Sequence, residues 1–556
     1  MTEFDIRDIP FSRRGSWFGI SPVIAENVHA DDLHLVSHQT GMHPVLRFVV
    51  ADARVTVTPA VLSWQAAGGR IDLVYQSADT IRLRGDGLGI RVAAAASTLT
   101  PFSGTYLYRD PADGSFVFTS YETGRRYRLT VLTGSPVARG LELLGSGDRH
   151  VDLPGGPAWE IAIEEYAAAR APFSSPVPFA EVVSAARDAF DSFVDAVAPW
   201  RGGQTPAAEL AAYVIWSATV SPGGFVTRPA VLMSKHWMDK VWSWDHCFNA
   251  IALAAGEPAL AWDQFLLPFD HQDPAGALPD SVTHSEVLYN FVKPPIHGWA
   301  FGLLRRRLGP LPAGRLTEAY DRMAAQARFW LDHRRVPGDA LPYYQHGNDS
   351  GWDNATTFDA GRLLQTADLA AFLVLHLREL SVLAAELGLD HDWETAAAEL
   401  EKNLFARLWD GGRFVALRPG SPSSASSSLL ALMPMVLGDT LPPEVRDHLV
   451  AGLREHLTDQ GLATEPVASP HYVADGYWRG PIWAPSTVLI EDGLRRAGET
   501  ALADEVSARF RALCERSGFA ENFDAVTGRG LRDRAYTWTA ACYLILAEAH
   551  ARRSAS

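Results

Sequence analysis

The chain has little cysteine: three in 556 residues, at Cys247, Cys514 and Cys542. An odd, sparse count builds no disulfide framework and fits a reducing compartment. The opening Met1-Thr2-Glu3-Phe4-Asp5-Ile6-Arg7 lacks the basic stretch and apolar core of an export signal, so the expected location is cytoplasmic. No apolar run approaches the roughly 20 residues that span a bilayer, so no membrane partner is expected. Positive charge is short as well. The formal net charge is −16 and the isoelectric point about 5.6, which argues against a nucleic-acid partner, since phosphates want a basic face. The same deficit counts against a polysaccharide lyase, whose uronate substrate wants a basic cleft. Hydrophobic residues at 47% and charged residues at 21% are otherwise ordinary for a globular protein. A chain of 556 residues is too long for one core and is expected to be multidomain.

Tryptophan is scarce at the start. Trp17, Trp64 and Trp159 are the only three of seventeen before residue 180, so the two parts of the chain have different jobs. Residues 1–175 read as β. Val45–Val50 and Arg54–Thr58 are rich in β-branched side chains, and Arg70–Tyr75 and Thr80–Arg84 alternate polar with apolar, the period of a half-buried strand. Gly85-Asp86-Gly87 and Gly124-Arg125 read as turns. Short strands at regular spacing predict an antiparallel β-sandwich. A Pro-rich linker, 172–178, follows.

Beyond the linker the period becomes helical. Between Thr366 and Gly388, apolar residues from Leu369 through Phe372, Leu380 and Leu383 recur mostly at steps of three and four. Thr366 is placed to cap the start and Gly388 the end. Similar segments lie around 245–256, 315–333, 393–408, 444–457, 484–497, 499–516 and 536–552. Many helices without strands between them predict an α/α toroid of paired helices over 176–556. A Ser-rich loop is expected over 421–428.

Four clusters carry chemistry. The first, Lys235 to His246, holds Trp237, Trp242 and Trp244 with Asp245 beside them. Aromatic faces stack on the apolar face of a pyranose and a neighbouring carboxylate accepts its hydroxyls; the alternative is a packed helix start capped by Asp245. The second, Leu278 to Trp299, reads as a long irregular segment, and such loops are often functional; the alternative is an ordinary helix connection. The third, His346-Gly347-Asn348-Asp349-Ser350-Gly351-Trp352-Asp353-Asn354, sets Asp353 against an aromatic wall. Such a wall raises a carboxyl pKa and keeps the group protonated as a general acid. The fourth, Asp475 to Ser486, packs Tyr477, Trp478, Arg479 and Trp483 among glycine and proline, a poor helix and a good pocket wall. Glu521 follows in Gly518-Phe519-Ala520-Glu521-Asn522-Phe523-Asp524. Two carboxylates on separate loops, among tryptophans, suit an enzyme that cuts glycosidic bonds: one protonates the leaving oxygen, the other activates water. Trp299, His346, Trp352 and Arg479 join the candidate sugar-binding set on this reading.

Taken in order, the clusters resemble glycoside hydrolase family 63 and, more distantly, the family 37 trehalases of the same clan. Trp242-Ser243-Trp244-Asp245 is similar to the family's W-x-W-D segment, Ser350-Gly351-Trp352-Asp353-Asn354 to its acid loop, and Tyr477-Trp478-Arg479-Gly480-Pro481-Ile482-Trp483 to its Y-W-R-G-P-x-W segment. Glu521 through Gly528, with Thr537-Trp538-Thr539-Ala540-Ala541 beyond, resembles the base loop and final helix. The resemblance covers about residues 230–545. It implies a β-sandwich before an (α/α)6 barrel and an inverting, exo-acting α-glycosidase, by expectation an α-glucosidase acting on a small carbohydrate. Asp353 would be the general acid, Glu521 the general base, and Trp242, Asp245, Tyr477, Trp478 and Trp483 would line the subsite of the cleaved sugar. No cofactor and no metal is implied. Asp349 stands where the family carries Glu, and Asn354-Ala355-Thr356-Thr357 departs from the trehalases, which turns the expectation away from trehalose. The rival readings are an α-mannosidase or α-L-rhamnosidase on the same barrel, an inverting glycoside phosphorylase, and a sugar-binding protein without catalysis.

Overall fold

The computed structural model describes residues 2–418 and 423–555. Of the expected Ser-rich loop, Ser421 and Pro422 lie outside the described residues, while Ser423–Ser424 pairs with Ala416–Leu417 as a two-stranded ribbon. The chain divides into two compact units. The first comprises Met1–Pro199, Ala212–Lys240 and Thr283–Ser285; the second comprises Trp200–Ala211, Val241–Val282 and Glu286–Ser556. The sheet-bearing stretch itself ends at the strand Trp159–Tyr166, and the Pro-rich segment leads to the helix Phe179–Val197.

The first unit holds two large antiparallel sheets, one of six strands and one of eight. All four segments expected to be strands are strands: His43–Val49, Arg54–Val57, Gly69–Ser77 and Thr80–Asp86. Their apolar alternation buries one face. Phe18, Ile20, Leu35 and Phe48 from the smaller sheet share a single core with Leu73, Leu83, Phe118 and Ile161 from the larger. That is the predicted sandwich. Gly124, at φ 64°, makes the turn between Phe116–Ser120 and Arg126–Thr133.

The second unit is helical. Six segments form its inner ring: His246–Leu253, His297–Leu308, Ala367–Leu387, Leu429–Thr440, Ala484–Arg496 and Thr537–Ala555. Each packs on the next, and the last closes on the first. Pro258–Asp270, Ala313–Arg328, Trp393–Leu408, Pro443–His456 and Thr500–Ser517 pack outside that ring. The amphipathic period explains the best-marked member. In Ala367–Leu387, Leu369, Phe372, Leu373, Leu380 and Leu383 are buried, and Gly388 ends the helix at φ 67°. Thr366 holds the N-cap position, but its side chain makes no capping bond. His376 on the same helix is fully used: its Nδ1 accepts from the Gly298 amide at 3.1 Å and its Nε2 donates to Met323 O at 2.9 Å. A side chain at Gly298 would run into the His376 backbone, so glycine there sets how closely these two inner helices cross.

The segment 278–299 corrects the expectation of one long loop. Ser281–Val282 and Val287–Leu288 form a small sheet with Val241–Trp242, and a helix begins at His297. Ile296 stands at the N-cap without a side-chain bond, so the usual start signal is absent from the sequence. Pro258–Asp270 is hidden differently, by apolar residues all round its circumference.

Candidate active site

Every nominated segment leads into an inner helix. Asp245 directly precedes His246–Leu253, and Lys293 precedes His297–Leu308. The Asp353 loop precedes Ala367–Leu387, Tyr477–Trp483 precedes Ala484–Arg496, and Glu521 precedes Thr537–Ala555. The ring topology therefore gathers residues from Asp245 to Glu521 ahead of the helix N-termini, where partial positive charge accumulates.

The Asp353 loop is folded on itself. Asp349 is its buried pin: one carboxylate oxygen accepts from the Val292 amide at 3.0 Å, and the other from Gln345 N at 2.8 Å and Arg334 at 2.9 Å. His346 Nδ1 accepts from Asn348 N at 3.2 Å, and its ring stacks on Phe291. Gly351 takes φ 73° and lies against the Trp244 ring, where a Cβ would collide. Asn354 then ties the loop to the fourth cluster. Its Oδ1 accepts from Trp478 N at 3.0 Å, its Nδ2 donates to Gly476 O at 3.0 Å, and Arg479 Nε donates to Asn354 O at 2.7 Å. Arg479 also bonds Asp359. Asp353 itself is half-buried. Burial raises its carboxyl above the usual range, while Lys293 and His346 draw it down.

The fourth cluster is joined in turn to the Glu521 segment. Ile482 and Phe523 exchange backbone bonds at 2.7 and 3.0 Å. The Glu521 amide donates to Asp533 O at 2.7 Å, and Thr539 Oγ1 donates to Ala520 O at 2.7 Å. Glu521 is 2% exposed, and neither carboxylate oxygen has a hydrogen-bond partner of good geometry among the described residues. Burial pushes its pKa up to about 8, with the Asp533 carboxylate adding to the rise and Arg532 and Tyr477 opposing it. Tyr477 faces both nominated carboxylates: after burial, the charges of Glu521 and Asp353 are what raise its phenol.

Asp245 does not cap its helix, since its side chain makes no cap bond. Its Oδ2 is buried without a partner among the described residues, and burial pushes its pKa up to about 8, opposed by Lys293 and reinforced by Asp280 and Asp353. Lys293 is thus the cation of this group. It pairs with Asp280 at 3.0 Å, donates to Asn348 O at 2.9 Å and sits 5.4 Å from the Trp242 ring centre. Sequence reading names neither Lys293 nor Asp280 as site residues. One signal is available: lysine occurs only at Lys235, Lys240, Lys293 and Lys402 in a chain that otherwise uses arginine. Asp533, Arg532 and Tyr536 are missed too, because nothing local in sequence sets them apart.

The tryptophans divide. Trp242 is half-buried beside Lys293. Trp352, Trp478 and Trp483 are each 1% exposed and form one stack, with ring centres 4.5 Å apart for Trp352–Trp478 and 4.1 Å for Trp478–Trp483. They offer no open face to a sugar; they are the wall behind Tyr477, whose carbonyl accepts from Trp483 Nε1 at 2.9 Å. Trp299 lies apart: its indole donates to Asp492 at 2.9 Å and its ring packs on Phe248. Residues that combine partial exposure with a place on or beside the carboxylate loops include Trp242, His346, Asn354, Tyr477 and Arg479. Among the described residues no group of three or more His, Cys, Asp or Glu is arranged to hold a metal ion, and no helix is long and apolar enough to cross a membrane.

This architecture has solved counterparts. A bacterial glucoamylase in complex with acarbose superposes with a TM-score of 0.65 at 10% identity, over 98% of this chain and 94% of that one. The GH63 mannosylglycerate hydrolase of Thermus thermophilus, solved with glucose, gives a TM-score of 0.54 at 24% identity, over 62% of this chain and 100% of that one. With the closed inner ring and the sandwich before it, the protein has the β-sandwich and (α/α)6 barrel of glycoside hydrolases. Residues 238–539, more than half the chain, match the mannosylglycerate hydrolase MGH1-like glycoside hydrolase domain, and the chain belongs to that family. The mannosylglycerate hydrolase of Rubrobacter radiotolerans is 26% identical over 416 residues, 58% of this chain and 92% of that protein. The protein is an enzyme acting on O-glycosyl bonds.

Proposed function

We propose that this glycoside hydrolase is an inverting, exo-acting α-glycosidase whose substrate is a small α-hexoside of glycerate, α-mannosylglycerate first. The observation that carries the reading is the family match over 238–539, together with relatives named mannosylglycerate hydrolase. This reading puts the mannoside, an alternative in the sequence analysis, ahead of the α-glucosidase expected there, with α-glucosylglycerate as the second substrate; a related enzyme has been solved with glucose and another time with Tris and D-glycerate.

Asp353 is the proposed general acid. Desolvation favours the protonated form of its carboxyl, which donates to the glycosidic oxygen. Glu521 is the proposed general base. Its two unpartnered oxygens are acceptors for a water, which it deprotonates as that water attacks the anomeric carbon from the opposite face. Trp242, Asp245, His346, Tyr477 and Arg479 are the proposed sugar contacts. The test is hydrolysis of α-mannosylglycerate and α-glucosylglycerate, with the released anomer followed by proton NMR. Initial β-hexose from either, lost in Asp353→Asn and in Glu521→Gln, supports the reaction and the residues. Initial α-hexose refutes inversion, and turnover only with added phosphate identifies a phosphorylase instead.

A further inference from the structure

Among the described residues, Asn27, Asp52, Glu142, Tyr477 and Arg532 are the non-glycine residues at positive φ. Two of them meet. Tyr477, at φ 65°, lies under the Arg532 guanidinium, at φ 58°, with the cation 5.0 Å from the ring centre. Neither side chain has the short polar group that lets Asn or Asp tolerate this region. Such strain persists only where the surroundings over-determine it.

The surroundings do so here. Arg532 pairs with Asp475 at 2.7 Å, donates to Asp475 O at 3.3 Å and donates to Asn522 Oδ1 at 3.2 Å. Asp475 lies two residues before Tyr477, and Asn522 directly follows Glu521. One guanidinium therefore fastens the aromatic segment to the segment that carries Glu521. The charged and titratable groups that act most strongly on Glu521 are Asp533, Arg532 and Tyr477, and Tyr536 feels its charge. Arg532 is the only cation in that set, and it works against the Asp533 carboxylate.

We propose that Arg532 is a positioning residue for the hydrolysis: it orients Tyr477 against Glu521 and supplies the positive charge that lets that carboxylate serve as base. The proposal rests on Glu521 being the base of the proposed reaction. Glu521 already titrates high, and Arg532 lowers it; without the cation it titrates higher still. A base works deprotonated, so the acidic limb of the rate profile moves to higher pH.

The experiment measures kcat for α-mannosylglycerate from about pH 4.5 to 9.5, a range that brackets the Glu521 titration, in the parent and in Arg532→Met, Arg532→Gln and Arg532→Lys, with melting curves alongside. Arg532→Gln keeps a shorter, neutral hydrogen-bonding side chain there and serves if Arg532→Met does not fold. The expected result is an acidic limb shifted up by about one unit or more in the neutral variants, roughly a tenfold loss of kcat on that limb. Arg532→Lys returns most of the shift. An unmoved limb, with kcat lowered evenly across pH and a lower melting temperature, overturns the proposal and leaves Arg532 a structural fastener. Activity surviving in Glu521→Gln overturns the assignment of the base itself, a separate outcome read in the same assay.

Discussion

The amide of Trp478 donates to the side-chain oxygen of Asn354 at 3.0 Å, and the Asn354 side-chain amide donates back to Gly476 at 3.0 Å. Two segments more than one hundred residues apart thereby share one amide side chain, and the residue before it is the proposed acid.

Asn354→Ala removes both side-chain bonds and loosens the Asp353 loop, leaving the Arg479 bond to the residue 354 carbonyl as the remaining tie. Small displacements of a proton donor are costly, so kcat is expected to fall by about tenfold to a hundredfold. The loss of two partly buried hydrogen bonds lowers stability by roughly 1–3 kcal/mol. Steady-state kinetics and denaturant titration check the two effects; unchanged kcat in a destabilised variant limits Asn354 to the fold.

Lys293→Met removes the cation that holds Asp353 down. The folded pKa of Asp353 then rises further. A general acid works protonated, so the alkaline limb of kcat moves to higher pH, the opposite limb from the Arg532 variants. The rate profile of the single variant decides it, and a profile superposable on the parent's removes Lys293 from the electrostatics of the site.

Glu521→Gln separates stability from activity. The folded pKa of Glu521, about 8, exceeds its unfolded value of about 4.3. Folding therefore takes up a proton between those values, and stability falls as pH rises through that window. Glutamine does not titrate. The variant is expected to melt higher than the parent at about pH 8, by on the order of a few degrees, with the gap closing toward about pH 4.5. Equal slopes of melting temperature against pH in the two proteins contradict the buried-carboxylate account.

Trp478→Ala opens the stack between Trp352 and Trp483. A fully buried tryptophan lost to alanine costs about 3–5 kcal/mol. Trp478→Phe keeps an aromatic there and is expected to recover most of the stability. Activity in Trp478→Phe close to the parent's, beside a crippled alanine variant, marks the ring as wall and not as a sugar contact.

Much of this molecule is legible without its structure. The strands of the sandwich, the helix 367–387 and the order of the four clusters all rest on local period or local composition, which a sequence displays directly. What escapes is non-local. Whether Trp478 shows a face or hides in a stack depends on Trp352 and Trp483, and sequence spacing does not settle that. Asp349 reads in sequence as a substitution for an acidic family residue; its three bonds to Val292, Gln345 and Arg334 make it the pin of the loop. Lys293 and Arg532 matter through the carboxylates they meet in space, and those meetings exist only in the folded ring. The start of the helix at His297 is hidden because its N-cap is isoleucine.

The inner ring closes where its last helix meets its first, with Trp538 against Trp244 at 4.9 Å. The segments that carry the proposed acid and base enter that ring at different points, and the final one precedes Thr537–Ala555. Thr537–Ala555 is thus the piece that joins the two ends of the ring, and a chain cut before Thr537 is expected to leave His246–Leu253 without that neighbour.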